Sequence, residues 1–262
     1  MLTEGQPQLL ATKILRPRPA TGLIERQRLS ELAAQVTEKQ LTIIKAGAGF
    51  GKTSLALSWA QSLEEKKHRV AWFSVDAEDN EPTHFLFYFA HALRRTCAEF
   101  GSEVIDLIRE GPLNLPQTIA STLINDLTNV DDEVVLFLDD YHVLTDPEVH
   151  KAMSFFIKHA PSNFHLVLTT RSTPDLALTK IRAHNQLLEL DELALRFTFD
   201  ETCEFLEQAG LNQLEMREVR TLHAKTEGWP AILRIIASTK FQSAAELKEF
   251  ISGLSGSARP IS

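Results

Sequence analysis

The chain has 262 residues, of which 44% are hydrophobic and 24% are charged, and this composition excludes a disordered or fibrous protein. Its net charge of −8 disfavours sequence-independent binding to nucleic acid or to an anionic membrane surface. Two cysteines, Cys97 and Cys203, are too few for a disulfide framework, and no apolar run reaches the roughly 18 residues that span a bilayer. The N-terminus also lacks the basic, then apolar, start of a secretory signal, so the sequence predicts a cytoplasmic protein.

Short apolar segments alternate with amphipathic ones along most of the chain. Pro7, Pro17 and Pro19 predict an extended arm over residues 1–22, because proline fixes φ and removes a backbone donor. A helix with one apolar face is predicted over 25–37. The predicted strands are 41–46, 70–75, 134–140, 165–171 and 187–190. The predicted helices between them begin at Lys52, Pro82, residue 115 and Asp146. This alternation of apolar strands and helices predicts an α/β fold with a mainly parallel sheet sandwiched by helices.

A different pattern begins after about residue 196. Thr198 and Glu201 have the spacing of a capping box at the start of a helix, and Gly210 suits the end of that helix. Helical patterns without a convincing strand continue to the end of the chain, at 213–226, 230–240 and 244–254. The sequence therefore predicts a small all-α domain after the α/β part.

A cluster of glycines separates the first predicted strand from the helix that begins at Lys52. Residues 46–53 read AGAGFGKT, which departs from the phosphate-loop consensus G-x-x-x-x-G-K-[ST] only at Ala46. The glycines allow successive N–H groups to converge on phosphate oxygens, Lys52 can reach the β- and γ-phosphates, and the Thr53 hydroxyl can bind Mg²⁺. The residues expected at the phosphates are Gly47, Ala48, Gly49, Phe50, Gly51, Lys52, Thr53 and Ser54.

Polar residues at the ends of two other strands complete such a site. Asp139 is expected to hold Mg²⁺ together with Thr53, and Asp140 to orient or deprotonate the attacking water. Arg171 ends the next strand, where it can contact a γ-phosphate, because ligands bind outside the carboxyl ends of parallel strands. The candidate catalytic residues are therefore Lys52, Asp139, Asp140 and Arg171, and the predicted ligands are ATP or ADP with Mg²⁺.

Together these motifs resemble those of the STAND-class signalling ATPases. The glycine loop, the Asp-Asp strand end and the strand-terminal arginine are followed by a helical region that carries the sequence GWP at 228–230. The match is more specific to the large ATP-dependent LuxR-type regulators related to the maltose-regulon activator. The matching stretches include KILRP (13–17), AGAGFGKTSL (46–55), LFLDDYHVLTDPEVHKAMSFFI (136–157), LVLTTRSTPDLALTKIRAHNQLLEL (166–190) and GWPAIL (228–233).

The resemblance implies a P-loop NTPase fold and adds three residues to the site. Ile24 and Arg26 would line the adenine pocket, and Pro230 would touch the base from the helical domain. The helical domain would thereby sense which nucleotide is bound. In the loop itself, this chain has Gly47 where relatives often have proline.

The resemblance also implies how the chain is divided and what accompanies it. Relatives continue into a winged-helix domain, a helical-repeat sensor domain and a C-terminal helix-turn-helix, so the chain is expected to be the N-terminal part of such a regulator. DNA binding and inducer sensing would then lie in those other domains. The implied divisions are an arm at 1–22, a nucleotide-binding domain at 23–196, a helical domain at 197–255 and the start of a linker at 256–262.

Three functions remain compatible with the sequence. The first is a switch in which ADP holds a closed resting form, ATP with an inducer permits self-association, and slow hydrolysis resets the chain. The alternative is a P-loop enzyme such as a small-molecule kinase or a motor ATPase, although the scattered arginines after Arg171 do not resemble a kinase lid. The third, an interaction module with a vestigial loop, is disfavoured by the intact Lys52, Thr53, Asp139 and Asp140.

Overall fold

The structure is a computed structural model, and it describes residues 9–96, 100–101, 103–106, 116–239 and 244–253. Cys97 and the predicted linker at 256–262 lie outside these residues. Within the described part of the chain, no helix has the length and apolar character needed to cross a membrane.

Within the ranges that the structure describes, a five-stranded, fully parallel sheet forms the centre and confirms the predicted fold class. The strands are β1 (Leu41–Lys45), β2 (Arg69–Ser74), β3 (Val134–Asp139), β4 (Phe164–Thr170) and β5 (Leu187–Leu190). Their order is β2-β3-β4-β1-β5. Because parallel strands end at one edge of the sheet, the segments that follow β1, β3 and β4 are neighbours there.

Helices cover both faces of the sheet and then form a separate group at the end of the chain. The helices along the sheet are α1 (Gln27–Ser30), α2 (Ala33–Val36), α3 (Lys52–Glu65), α4 (Pro82–Arg94), α5 (Pro116–Thr128), α6 (Pro147–His159), α7 (Leu178–Ala183) and α8 (Glu192–Leu195). The terminal group, called the helical region below, is α9 (Phe199–Gln208), α10 (Met216–Thr226), α11 (Pro230–Ser238) and α12 (Ala244–Gly253).

The core of the described residues is divided among three apolar clusters. Strand β3 is fully buried, and its alternate side chains belong to different clusters: Leu136 to the cluster on one face, Val135 and Phe137 to the cluster on the other. This arrangement explains why the strand sequence is apolar without alternation. The third cluster belongs to the helical region, and Ile24 packs into it from the other end of the chain. The domain boundaries at 23–196 and 197–255 stay a prediction.

The predicted helix over 25–37 is divided into α1 and α2. The Leu29 carbonyl accepts a hydrogen bond from the indole Nε1 of Trp59 at 2.8 Å and another from the Leu32 N–H at 3.1 Å. A carbonyl engaged in this way makes the tighter i to i+3 turn in place of an α-helical bond. The apolar face was predicted correctly, since Leu29, Ala33 and Val36 are all buried against α3 and the sheet.

Only residues 9–22 of the predicted N-terminal arm are described, and within them Ala11–Ile14 form a 3₁₀ turn. This turn inserts Lys13, which is only 6% exposed, beside the side chain of Asp79. The ammonium lies 2.7 Å from the Asp79 carboxylate and 4.4 Å from the centre of the Tyr88 ring. A buried charge is tolerated when a partner of opposite sign compensates for it, so this pair fixes the arm against the end of β2 and the start of α4.

The predicted capping box at the start of α9 is confirmed. The Thr198 hydroxyl accepts the Glu201 N–H at 3.1 Å, and the Glu201 carboxylate accepts the Thr198 N–H at 2.9 Å. Replacing Thr198 by alanine is expected to lower the free energy of unfolding by about 1 kcal/mol, because one helix-terminal N–H loses its partner. Urea denaturation measures this loss. The matched control is Thr221→Ala, whose hydroxyl bonds a carbonyl inside α10 and whose removal should be close to neutral.

Candidate nucleotide site

The predicted phosphate loop lies between the end of β1 and the start of α3. Gly49 and Gly51 have φ values of +77° and +81°, which side-chain-bearing residues rarely adopt. Gly51 is the N-cap of α3, so the free N–H groups of the first helical turn point into the loop. Both features are those of an anion-binding loop at a helix N-terminus.

Lys52 carries the positive charge at the base of this loop. Its side chain is 7% exposed, and its ammonium donates to the Gly47 carbonyl at 2.9 Å. Burial lowers the pKa of Lys52, while the carboxylates of Asp140 and Asp139 act in the opposite direction. A buried ammonium with an intramolecular carbonyl as its bond partner is well placed to exchange that bond for a phosphate oxygen.

Asp139 and Thr53 meet across the sheet edge as predicted from their positions. The Thr53 hydroxyl lies 3.0 and 3.1 Å from the two carboxylate oxygens of Asp139. The Thr169 hydroxyl bonds the same carboxylate at 2.5 Å and accepts the Asp140 N–H at 2.9 Å. Asp139 is 5% exposed, and burial raises its pKa even though both hydroxyls favour the ionised form. A hydroxyl and a carboxylate in contact are suitable ligands for Mg²⁺.

Asp140 and Arg171 directly follow β3 and β4, at the same edge of the sheet as the phosphate loop. Asp140 has a left-handed backbone, with φ of 61°, and its carboxylate lies 3.7 Å from the Nδ1 of His142. Burial lowers the pKa of His142, and the cations Arg171 and Lys52 lower it further against the opposing effect of Asp140. Arg171 is exposed and lines, with Lys45 and Gly47, a cavity of about 400 Å³ on the outer side of the loop. The four candidate catalytic residues are thus gathered at one sheet edge.

A second cavity, of about 550 Å³, opens between α3 and the helical region. Six of the residues predicted for the nucleotide line it, and they come from three distant segments of the chain. These residues are Ile24, Arg26, Phe50, Gly51, Ser54 and Pro230. The cavity adjoins the phosphate loop and has the apolar wall and the few polar groups that a purine and ribose need.

Sequence reasoning missed two residues that touch the loop. The indole Nε1 of Trp229 donates to the Ala48 carbonyl at 3.3 Å, and the Ala231 N–H donates to the Gly49 carbonyl at 3.1 Å. The Trp229 ring also stacks on Phe50, with centroids 5.7 Å apart and planes 13° from parallel. The GWP sequence was the available signal, but it was assigned only to the base.

An ion-pair cluster, also missed, joins the helical region to the start of the nucleotide-binding part. Arg28 donates to the Glu201 carboxylate at 2.9 and 3.0 Å, and the Nε of Arg26 lies 3.4 Å from it. Burial raises the pKa of Glu201, but the hydrogen bonds from Arg28 and the Thr198 N–H, together with Arg26, bring it below its usual value. Arg26 therefore contributes to docking of the helices as well as lining the cavity.

The residues present fit a Mg²⁺–nucleotide complex. The buried Lys52 ammonium and the α3 N-terminus match the phosphates, Thr53 with Asp139 matches the cation, and the 550 Å³ cavity matches the nucleoside.

Comparison with known proteins shows which family the chain resembles. The family model described as "Nephrocystin 3, N-terminal" matches residues 21–171, more than half of the chain. Serine/threonine-protein kinase PknK of Mycobacterium tuberculosis is 29% identical over 256 residues, which are 98% of this chain and 23% of PknK. The HTH-type transcriptional regulator MalT of Yersinia pestis is 31% identical over 252 residues, 95% of this chain and 28% of MalT. The chain thus spans about a quarter of the length of these relatives.

A solved structure gives the same fold. The Aeropyrum pernix ORC2 protein, determined as ADPNP–ADP complexes, superimposes with a TM-score of 0.53 at 16% identity, covering 91% of this chain and 70% of that one. At this identity the likeness concerns the fold alone. The family match over more than half of the chain, together with the MalT and PknK relatives and the shared fold, shows the family: the chain belongs to the family described as nephrocystin 3, N-terminal, and has the architecture of a STAND-like P-loop ATPase related to the MalT regulators.

Proposed function

We propose that this chain is the nucleotide-controlled switch of a larger transcriptional regulator. ADP holds a closed form in which the helical region is docked on the phosphate loop, ATP permits self-association, and slow hydrolysis returns the chain to rest. The observation that carries the proposal is the direct bonding of the loop to the helical region, through Ala48 to Trp229 and Gly49 to Ala231. A nucleotide in the loop thereby has a physical means to bias the position of the helices.

The cavity between α3 and the helical region gives a nucleotide a way to favour the docked form. A ligand shifts a conformational equilibrium only by its difference in affinity for the two states. The cavity that we assign to the nucleoside has Pro230 and Phe205 of the helical region on one wall and Ser54 of α3 on the other. A nucleotide that fills this cavity gains contacts only when the helices are docked, which supplies the required difference.

We assign the chemistry to the residues at the sheet edge. Lys52 binds the β- and γ-phosphates, Thr53 and Asp139 hold Mg²⁺, Asp140 orients the attacking water, and Arg171 approaches the γ-phosphate. Mg²⁺, when bound, neutralises the charge that develops on the phosphoryl group.

The partners that we propose for this chain are further domains of a longer protein, as in its longer relatives. MalT is described as an HTH-type regulator, so we propose that inducer sensing and DNA binding belong to other domains of a longer protein.

Sedimentation of the chain with ADP and with a non-hydrolysable ATP analogue tests self-association. A monomer in both would contradict that part of the proposal, and rapid multiple turnover would favour a kinase or motor enzyme in its place.

Replacing Lys52 by alanine is expected to weaken binding of ADP and ATP about 10- to 100-fold, because a charge-assisted hydrogen bond to phosphate is lost. Isothermal titration calorimetry measures both affinities, with adenosine as the ligand that lacks phosphates. Lys39→Ala is the matched control, since the Lys39 ammonium bonds the Asn185 carbonyl before β1, at the end of that strand opposite to the loop. Absence of ADP and ATP binding in the wild-type chain would overturn the proposed function.

A further inference from the structure

The segment Trp229–Ala231 contacts the phosphate loop through carbonyl groups of the loop. Its first contact is the Trp229 indole on the Ala48 carbonyl, and its second is the Ala231 N–H on the Gly49 carbonyl, at 3.3 and 3.1 Å. Stacking of Trp229 on the buried Phe50 adds a third contact. Three consecutive loop residues are therefore held by one three-residue segment.

These contacts also fix the directions of two N–H groups in the loop, those of Gly49 and Phe50. Both peptides are trans, and in a planar trans peptide the C=O and the following N–H point in opposite directions. With the Ala48 carbonyl turned towards Trp229, the Gly49 N–H points away from Trp229. The bond from Ala231 to the Gly49 carbonyl turns the Phe50 N–H in the same way. Two amides of the phosphate loop are thus aimed by hydrogen bonds from the helical region.

The fit at Gly49 shows how closely the segment approaches. A Cβ added at Gly49 would lie 2.5 Å from the Ala231 Cβ and 3.1 Å from the Trp229 Nε1. Glycine is required here twice, for its φ of +77° and for the space that the segment occupies. The loop and the segment therefore pack as one unit.

We propose that Trp229 is a positioning residue that preorganises the phosphate-binding amides of Gly49 and Phe50. This inference rests on the proposed function and deepens it, because it names the side chain through which phosphate binding and docking of the helical region stabilise each other. Coupling of two binding events is reciprocal, so a docked Trp229 raises the affinity for ADP and bound ADP retains Trp229 on the loop. The base contacts of the cavity do not pass through this indole N–H.

The test is Trp229→Phe, which removes the indole donor and keeps an aromatic ring to stack on Phe50. Loss of one hydrogen bond is expected to weaken ADP binding about three- to tenfold and to leave adenosine affinity within about twofold. Trp59→Phe is the matched control: it also removes an indole bond to a carbonyl, that of Leu29, but in the core below α1. That control should lower the melting temperature without changing the ratio of ADP to adenosine affinity.

Backbone NMR supplies a second readout of the loop, and the ratio of ADP to adenosine affinity separates positioning from a purely structural role. In Trp229→Phe the amide resonances of Gly49 and Phe50 should shift in the nucleotide-free chain, whereas those of α3 beyond its first turn should not. An unchanged ratio of ADP to adenosine affinity, or a parallel fall in both affinities, would overturn the role of Trp229. If the wild-type chain binds neither ADP nor ATP, the proposed function itself fails and the inference fails with it.

Discussion

Replacing Asp139 by asparagine is expected to raise the melting temperature of the nucleotide-free chain at neutral pH while abolishing the Mg²⁺-dependent ATP hydrolysis that we propose for it. Stability rises while the rate falls because the buried Asp139 carboxylate lowers the stability of the fold but is needed to bind Mg²⁺. Loss of a Mg²⁺ ligand removes several kcal/mol of stabilisation from the transition state, so the rate should fall about 1,000-fold or more. Single-turnover phosphate release measures the rate.

The gain in stability follows from the direction of the Asp139 pKa shift. Burial raises the pKa and the neighbouring Asp140 adds to the effect, although Thr169 and Thr53 oppose it. A carboxyl whose pKa is higher in the folded state costs stability as the pH rises from about 3.9, the unfolded value, through the folded value, and the full cost is present at neutral pH. Asparagine cannot ionise, and its amide oxygen can still accept a hydroxyl bond. The difference in melting temperature should therefore shrink below about pH 4.

Asp140→Asn is the matched control for this prediction. The Asp140 side chain is 47% exposed, and asparagine tolerates the left-handed backbone found at this position. The control removes only the smaller contribution of the Asp140 charge to the Asp139 pKa, so it should raise the melting temperature less than Asp139→Asn does. It should leave the Mg²⁺-dependent nucleotide affinity unchanged and should slow hydrolysis. A melting temperature for Asp139→Asn below that of the wild-type chain at pH 7, or hydrolysis at the wild-type rate, would contradict the assignment of Asp139.

The parts of the site that sequence reasoning found depend on short-range patterns. Residues 46–53 are consecutive, so their spacing alone predicts a loop that opens α3. Asp139 was found because it ends a fully apolar strand, and strand ends in a parallel sheet meet at one edge. The boundaries of β3 and β4 were predicted to within one residue, because each strand is a continuous apolar run in the sequence.

The parts that were missed depend on docking of distant segments. Trp229 and Ala48 are 181 residues apart in the chain, and no local pattern specifies that one bonds the other. Thr169 was noted only as a strand residue, and its bond to Asp139 depends on the alignment of β3 with β4. The division of the helix at 25–37 likewise depends on Trp59, which competes for a backbone carbonyl. Periodicity indicates which face of a helix is buried, but it does not report such long-range hydrogen bonds.

Replacing Gly228 by alanine is expected to lower the free energy of unfolding by about 3 kcal/mol and to weaken ADP binding. Helix α10 ends in two left-handed residues, Glu227 and Gly228, with φ of 50° and 70°. A Cβ at Gly228 would lie 2.3 Å from the Phe197 carbonyl oxygen, and the Phe197 N–H donates to the Gly228 carbonyl at 2.8 Å, so neither backbone can move away cheaply. A left-handed backbone costs a side-chain-bearing residue about 1–2 kcal/mol, and a steric overlap typically adds 1–3 kcal/mol. The weaker ADP binding follows because Trp229, the next residue, is displaced from the loop.

Gly210→Ala separates the cost of the left-handed backbone from the cost of the steric overlap. Gly210 ends α9 with a similar φ of +76°, but an added Cβ would have no atom within 4 Å. This control should lose only the backbone contribution, about 1 kcal/mol, and should bind ADP as the wild-type chain does. Urea denaturation measures both free energies, and calorimetric titration with ADP measures both affinities. Equal losses in the two variants would contradict the close pairing of Gly228 with Phe197, because backbone strain alone would then account for both.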